Sequence, residues 1–111
     1  MSRTERQLSQ ETVQEFALCD ATLIGIRWST DGRDLSLDLR LGDGREAMLS
    51  CRWAAGVRIQ IHADSRELGG PLSSECRWER AGGGWRMWMD FAGRGAVELD
   101  CQGAVLVYDA G

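Results

Sequence analysis

From Ala21 onward, apolar residues tend to recur at every second position, and glycine-bearing turns interrupt that rhythm at short intervals. Successive side chains of a strand point to opposite faces, so the pattern prescribes half-buried β-strands and leaves little room for helix. Leu35, Leu37, Leu39 and Leu41 mark one inward face, with Ser36, Asp38 and Arg40 outward; Val57, Ile59 and Ile61 oppose Arg58, Gln60 and His62 in the same way. Strands are expected near 21–29, 34–41, 46–53, 57–62, 75–80, 85–91, 96–101 and 104–109. Asp31-Gly32 and Gly42-Asp43-Gly44 suit hairpin turns in the first half, and Gly82-Gly83-Gly84 and Gly93-Arg94-Gly95 in the second. Short turns make neighbours antiparallel. The expected fold is therefore mainly β, a meander of about eight strands curled as a half-barrel or a two-layer sandwich.

A second regularity lies at an offset of fifty residues, where Ile26 to Cys51 lies on Cys76 to Cys101 without a gap. Arg27 falls on Arg77, Trp28 on Trp78, Gly32 on Gly82, Leu49 on Leu99 and Cys51 on Cys101. This pseudo-repeat suggests one β-unit used twice, over 21–62 and 75–109, joined by a connection at 63–74 that holds the only proline. Ahead of the strands, residues 9–19 read as a helix. Ser9 can cap it, Glu11 suits the positive end of its dipole, and Leu8, Val13, Phe16 and Ala17 share one side. So short a helix depends on docking against a sheet, and removal of Phe16 should undock it. Residues 1–8 are expected to form a flexible tail. The last strand, Ala104 to Asp109, is apolar on both sides and should be covered on both, with the helix a natural cover.

A chain of 111 residues holds one core and one domain. Its net charge of −4 and pI near 4.9 work against attraction to nucleic acid or anionic lipid. No stretch approaches the length of a membrane span or a signal peptide, so a cytoplasmic location is expected. All thirteen basic residues are arginine, and lysine and asparagine are absent, a bias that points to a GC-rich bacterial genome. In that setting the four cysteines default to reduced, buried thiols, with a disulfide between strands as the less favoured alternative.

Candidate chemistry is sparse. Zinc sites use close ligand pairs, and Cys19, Cys51, Cys76 and Cys101 stand 32, 25 and 25 residues apart, so no metal and no cofactor are expected. His62 is the only imidazole, and with Asp64 and Ser65 almost beside it the side chains diverge too much for a triad. Asp38, Asp90, Glu98 and Asp100 occupy outward strand positions where solubility explains them. Gly82-Gly83-Gly84 opens no helix and reads as a hairpin loop rather than a phosphate cradle. No catalytic residue is assigned. Among the five tryptophans, Trp28, Trp78 and Trp85 follow inward series and are expected in the core. Trp88 does not: alternation places it outward between Arg86 and Asp90, the composition of an interaction hot spot. Arg52 and Arg77 would extend that patch. A non-catalytic protein-binding module is the leading expectation. A small-ligand carrier, with a cavity lined by Trp85, Met87, Met89 and Phe91, is the alternative. Homodimerisation is a further expectation, because a meander leaves two edge strands in need of protection.

The run Phe16 to Ile61, in which Asp20-Ala21 starts a strand after a helix and short strands follow, resembles small bacterial families of unknown function and some toxin-immunity families. Members often have histidine before that aspartate, whereas this chain has Cys19, so a role attached to the histidine does not carry over. The resemblance implies a non-catalytic protein that binds another protein.

Overall fold

A computed structural model describes residues 3–62, 73 and 75–109. The described residues form nine antiparallel strands in two sheets, with one short helix and no closed barrel among them. In chain order these are β1 (Arg3–Gln7), α1 (Gln10–Glu15), β2 (Thr22–Trp28), β3 (Leu35–Arg40), β4 (Glu46–Arg52), β5 (Ala55–Ile61), β6 (Glu75–Ala81), β7 (Gly84–Asp90), β8 (Gly95–Cys101) and β9 (Gly103–Asp109). Sheet A runs β1-β9-β4-β3-β2 and sheet B runs β5-β8-β7-β6.

The strands are not one continuous meander. Trp53 and Ala54 turn the chain from β4 in sheet A to β5 in sheet B, and Gln102 alone turns it back from β8 to β9. Each sheet therefore joins three consecutive strands of one half to the last strand of the other. The fifty-residue offset fares unevenly at the level of side chains. Leu49, Leu99, Cys51 and Cys101 are all buried, but Trp28 is 50% exposed where Trp78 is 4%. Trp28 was expected in the core. It pairs with inward-facing Leu35, yet it ends an edge strand and has a neighbouring strand on one side only.

The inner faces meet as alternation requires. Leu35, Leu37, Leu39 and Leu49 of sheet A and Met87, Met89, Val97 and Leu99 of sheet B are buried in one apolar cluster. Full burial of such side chains contributes about 1.5–3 kcal/mol each, and this layer holds the sheets together. Trp78 and Trp85 pack edge to face with ring centroids 6.3 Å apart, an arrangement favoured by the ring quadrupoles. Ile59 faces the same interior but is 42% exposed, because β5 is the open edge of sheet B.

The N-terminal region departs most from expectation. Arg3–Gln7 is a strand rather than a flexible tail, paired along its length with β9. The helix begins as expected: Ser9 Oγ accepts the Thr12 N–H at 3.1 Å, and Val13 and Phe16 are buried. It ends at Glu15, short of Cys19, because Ala17 adopts a left-handed conformation and the chain re-forms as a single 3₁₀ turn, Leu18–Asp20. Phe16 packs on Tyr108, centroids 4.6 Å apart, on the inner side of β9. The helix thus lies inside sheet A, and outward-facing Val107 remains only partly buried. Ser9→Ala should cost about 1 kcal/mol, read as a lower denaturant midpoint with faster amide exchange in α1.

Cys19 and Cys76 form a disulfide, with Cα atoms 4.9 Å apart, across a sequence separation of 57. The expectation of four reduced thiols is corrected at this pair. The kink at Ala17 carries Cys19 onto edge strand β6, while the Gln10 side-chain amide donates to the Trp78 carbonyl of the same strand. Cys51 and Cys101 remain free and buried. The connection expected at 63–74, with Asp64 and Ser65, lies outside the described residues except for Ser73, whose N–H donates to the Ala21 carbonyl.

Candidate functional site

The outer face of sheet B is built from side chains that alternate with its core residues. Across the four strands, register sets Arg77 opposite Trp88, Trp88 opposite Glu98 and Glu98 opposite Arg58. One row along, Glu79, Arg86 and Asp100 stand side by side; on the other flank are Glu75, Asp90, Ala96 and Gln60. Trp88 therefore occupies the centre of a charged sheet surface, and its ring is half-buried while Arg77, Glu79 and Arg86 are exposed. These four residues line a shallow depression of about 400 Å³.

Neighbouring charges hold the ring in place. The Arg77 guanidinium stands 5.7 Å from the Trp88 ring centroid, within the range of a cation–π contact. Arg86 Nε donates to Asp100 Oδ1 at 3.0 Å, and this bond raises the pKa of a guanidinium that is charged at any accessible pH. Arg58 pairs with Glu98 at 3.5 Å. Exposed pairs of this kind add little stability, but they set the side-chain directions around the aromatic. The face carries Arg58, Arg77 and Arg86 against Glu75, Glu79, Asp90, Glu98 and Asp100, an acidic balance.

Of the patch expected from sequence, Trp88, Arg86, Asp90 and Arg77 share this face. Arg52 does not. It ends β4 in sheet A, where its carbonyl accepts the Gln102 N–H at 2.9 Å. Trp85, Met87, Met89 and Phe91, suggested as cavity lining, are buried in the core cluster between the sheets. His62 is exposed at the end of β5, its N–H donating to the Arg94 carbonyl at 2.7 Å.

Two further surfaces escaped the sequence. The outer face of sheet A holds a wider depression, of about 1040 Å³, whose lining includes Ile24, Arg27, Asp38, Met48 and Val107. Within it Arg27 is bonded to Asp38 at 3.1 Å, and Arg45, on its rim, pairs with Asp43 at 2.7 Å. The other surface is the end of sheet A, where Trp28 and Trp53 are each 50% exposed. Asp34 links them: its N–H donates to Ser29 Oγ, beside Trp28, and its carboxylate accepts the Trp53 N–H at 3.1 Å. Arg33 caps the Trp53 ring at 4.7 Å. Alternation gives the side of the sheet on which a tryptophan stands; it does not reveal that a strand end is open.

No family model matches the chain, and no curated protein matches it. Among solved structures, the crystal structure of an uncharacterized protein from Neisseria gonorrhoeae is similar in fold, with a TM-score of 0.64 and 10% sequence identity over 93% of this chain and 96% of that one. At that identity the likeness concerns the fold alone.

Proposed function

We propose that this protein is a non-catalytic binding module that docks another protein on the outer face of sheet B. The observation that carries the reading is the position of Trp88, a half-buried aromatic at the centre of a largely charged sheet surface. A large ring held by neighbouring strands loses little entropy on binding and offers apolar area where water is readily displaced. The acidic balance of the face suits a partner that presents arginine or lysine around an apolar anchor. The family resemblance suggests that such a partner is a toxin domain held by its immunity protein. A second copy of the chain is the other protein partner to consider, and light scattering at two concentrations separates the two.

A carrier role draws no support from a cavity at Met87 and Met89, which are packed against the opposite sheet. No helix among the described residues is long and apolar enough to cross a membrane. Disulfides persist in oxidising surroundings, so Cys19–Cys76 favours an oxidising compartment over the cytoplasm expected from the sequence, and alkylation of these two thiols in intact cells tests which holds. Capture from an extract of the source cell, comparing wild type with Trp88→Ala and Trp53→Ala, tests the docking face. Trp88→Ala should weaken partner binding by about 2 kcal/mol or more, roughly thirtyfold, and Trp53→Ala should leave it within about twofold. Equal recovery by wild type and Trp88→Ala would remove this face.

A further inference from the structure

Each sheet has two edge strands, and three of the four are blunted. β1 is a short run of polar residues, Arg3 to Gln7. The edge of β6 is clasped, because the Gln10 side-chain amide donates to its Trp78 carbonyl and Cys19 is bonded to its Cys76. β5 is bent by a bulge between Ala55 and Arg58, with Gly56 at φ +59°, and Arg58 and Gln60 interrupt the run that follows. Bulges and charged side chains are the usual means by which sheet edges avoid further pairing. β2 has less of both. It carries one charge, Arg27, and its own bulge, between Leu23 and Gly25, leaves Gly25 to Trp28 in regular register with β3.

That regular run turns its backbone outward. Beside it, the Ser29 N–H donates to the Asp34 carbonyl at 2.8 Å. Hydrogen-bonded and non-hydrogen-bonded pairs alternate along an antiparallel ladder, so Ile26 and Trp28, opposite Leu37 and Leu35, direct their N–H and C=O groups away from β3. Among the described residues, no strand pairs with them. Apolar surface gathers at the same place. Ile24, Trp28, Trp53 and Ile59 are the large apolar side chains left exposed among the described residues; the first two are on β2, and Asp34 ties Trp53 to the turn that follows it.

We propose that β2 is the interface of a homodimer, in which it pairs antiparallel with β2 of a second copy across a two-fold axis. A second copy suits this edge because it brings the same unpaired backbone groups, and one symmetric contact satisfies both. The charges allow it too. Arg27 is already neutralised by Asp38 at 3.1 Å, whereas the acidic outer face of sheet B repels its own copy. A register that sets Trp28 of one copy opposite Ile26 of the other pairs the outward N–H and C=O groups of both residues and covers both tryptophans. It brings the two Arg27 side chains together, each held by its own Asp38. A contact this narrow is weak, with a Kd expected at roughly tens to hundreds of micromolar. This inference is independent of the Trp88 face.

Sedimentation equilibrium of the full chain without reductant, from about 10 µM to about 1 mM, tests this. The mean mass should rise with concentration toward twice that of the monomer and no further. Trp28→Lys and Ile26→Pro should each raise Kd by about thirtyfold or more, the proline by removing an edge N–H that β3 does not use. Trp88→Ala should leave Kd within about twofold. In wild type, the Ile26 and Trp28 amides should exchange with deuterium more slowly as concentration rises. A mass that stays monomeric throughout overturns the proposal, as do species larger than a dimer. So does a dimer that survives both β2 variants, and so does one lost in Trp88→Ala. If the β2 variants fail to fold, amide exchange decides: Ile26 and Trp28 protection that is independent of concentration overturns the proposal.

Discussion

Gly95→Ala is expected to destabilise the protein by about 3 kcal/mol or more. Two effects act together at this position. Gly95 has φ near +113°, a conformation in which a side chain is strained by about 1–3 kcal/mol. A Cβ built there would also stand 1.8 Å from the Gln60 carbonyl oxygen and 3.0 Å from the Ile61 Cα. Both obstacles are backbone of β5, so no rotamer change relieves them, and overpacking of that kind costs about a further 1–3 kcal/mol. The β5–β8 pairing, which runs to Ile61 opposite Gly95, would have to open. Gly84 makes a similar close approach, its Cβ falling 2.1 Å from the Cys101 carbonyl, but without the positive φ. Gly84→Ala should therefore cost less. Denaturant midpoints measure both, and a Gly95→Ala midpoint within about 0.5 kcal/mol of wild type would contradict the described pairing.

Removing the Cys19–Cys76 bond is the other large effect, expected at about 2–4 kcal/mol for the double serine variant. The bond closes a loop across a separation of 57 residues that takes in four strands and both sheets, so its loss frees a large unfolded ensemble. It also releases the 3₁₀ turn after α1 from β6. Reductant added to wild type should lower the melting temperature in parallel with the mutant. A melting temperature unmoved by reductant would show that the two sulfurs are not bonded in the folded protein.

What could be read from the sequence, and what could not, follows from the range of the interactions involved. Alternation is local, and it located eight strands to within a residue or two, because Leu35 to Leu41 and Trp85 to Met89 must place every second side chain in the core. The outward position of Trp88 came from the same rule. Strand β1 was missed because Arg3-Thr4-Glu5-Arg6-Gln7 carries no apolar alternation; it is held by backbone pairing to β9, which lies about a hundred residues away in the chain. The helix end was misjudged because the stop is an alanine in a left-handed conformation, and no glycine announces it. The disulfide depends on a meeting of the N-terminal segment with β6 that no spacing reveals. Arg52 lies apart from the Trp88 patch because the chain changes sheets between β4 and β5, a step that alternation does not encode.

We propose the outer face of sheet B, with Trp88 at its centre, as the place where a partner docks. Isotope-labelled protein titrated with the captured partner and followed by NMR tests this most directly. The account predicts that the Trp88 indole N–H and the amides of Arg77, Arg86 and Glu98 shift first and most, while those of Trp28 and Trp53 stay in place. Shifts concentrated at Trp28, Arg33 and Trp53, with the Trp88 indole unmoved, would contradict it.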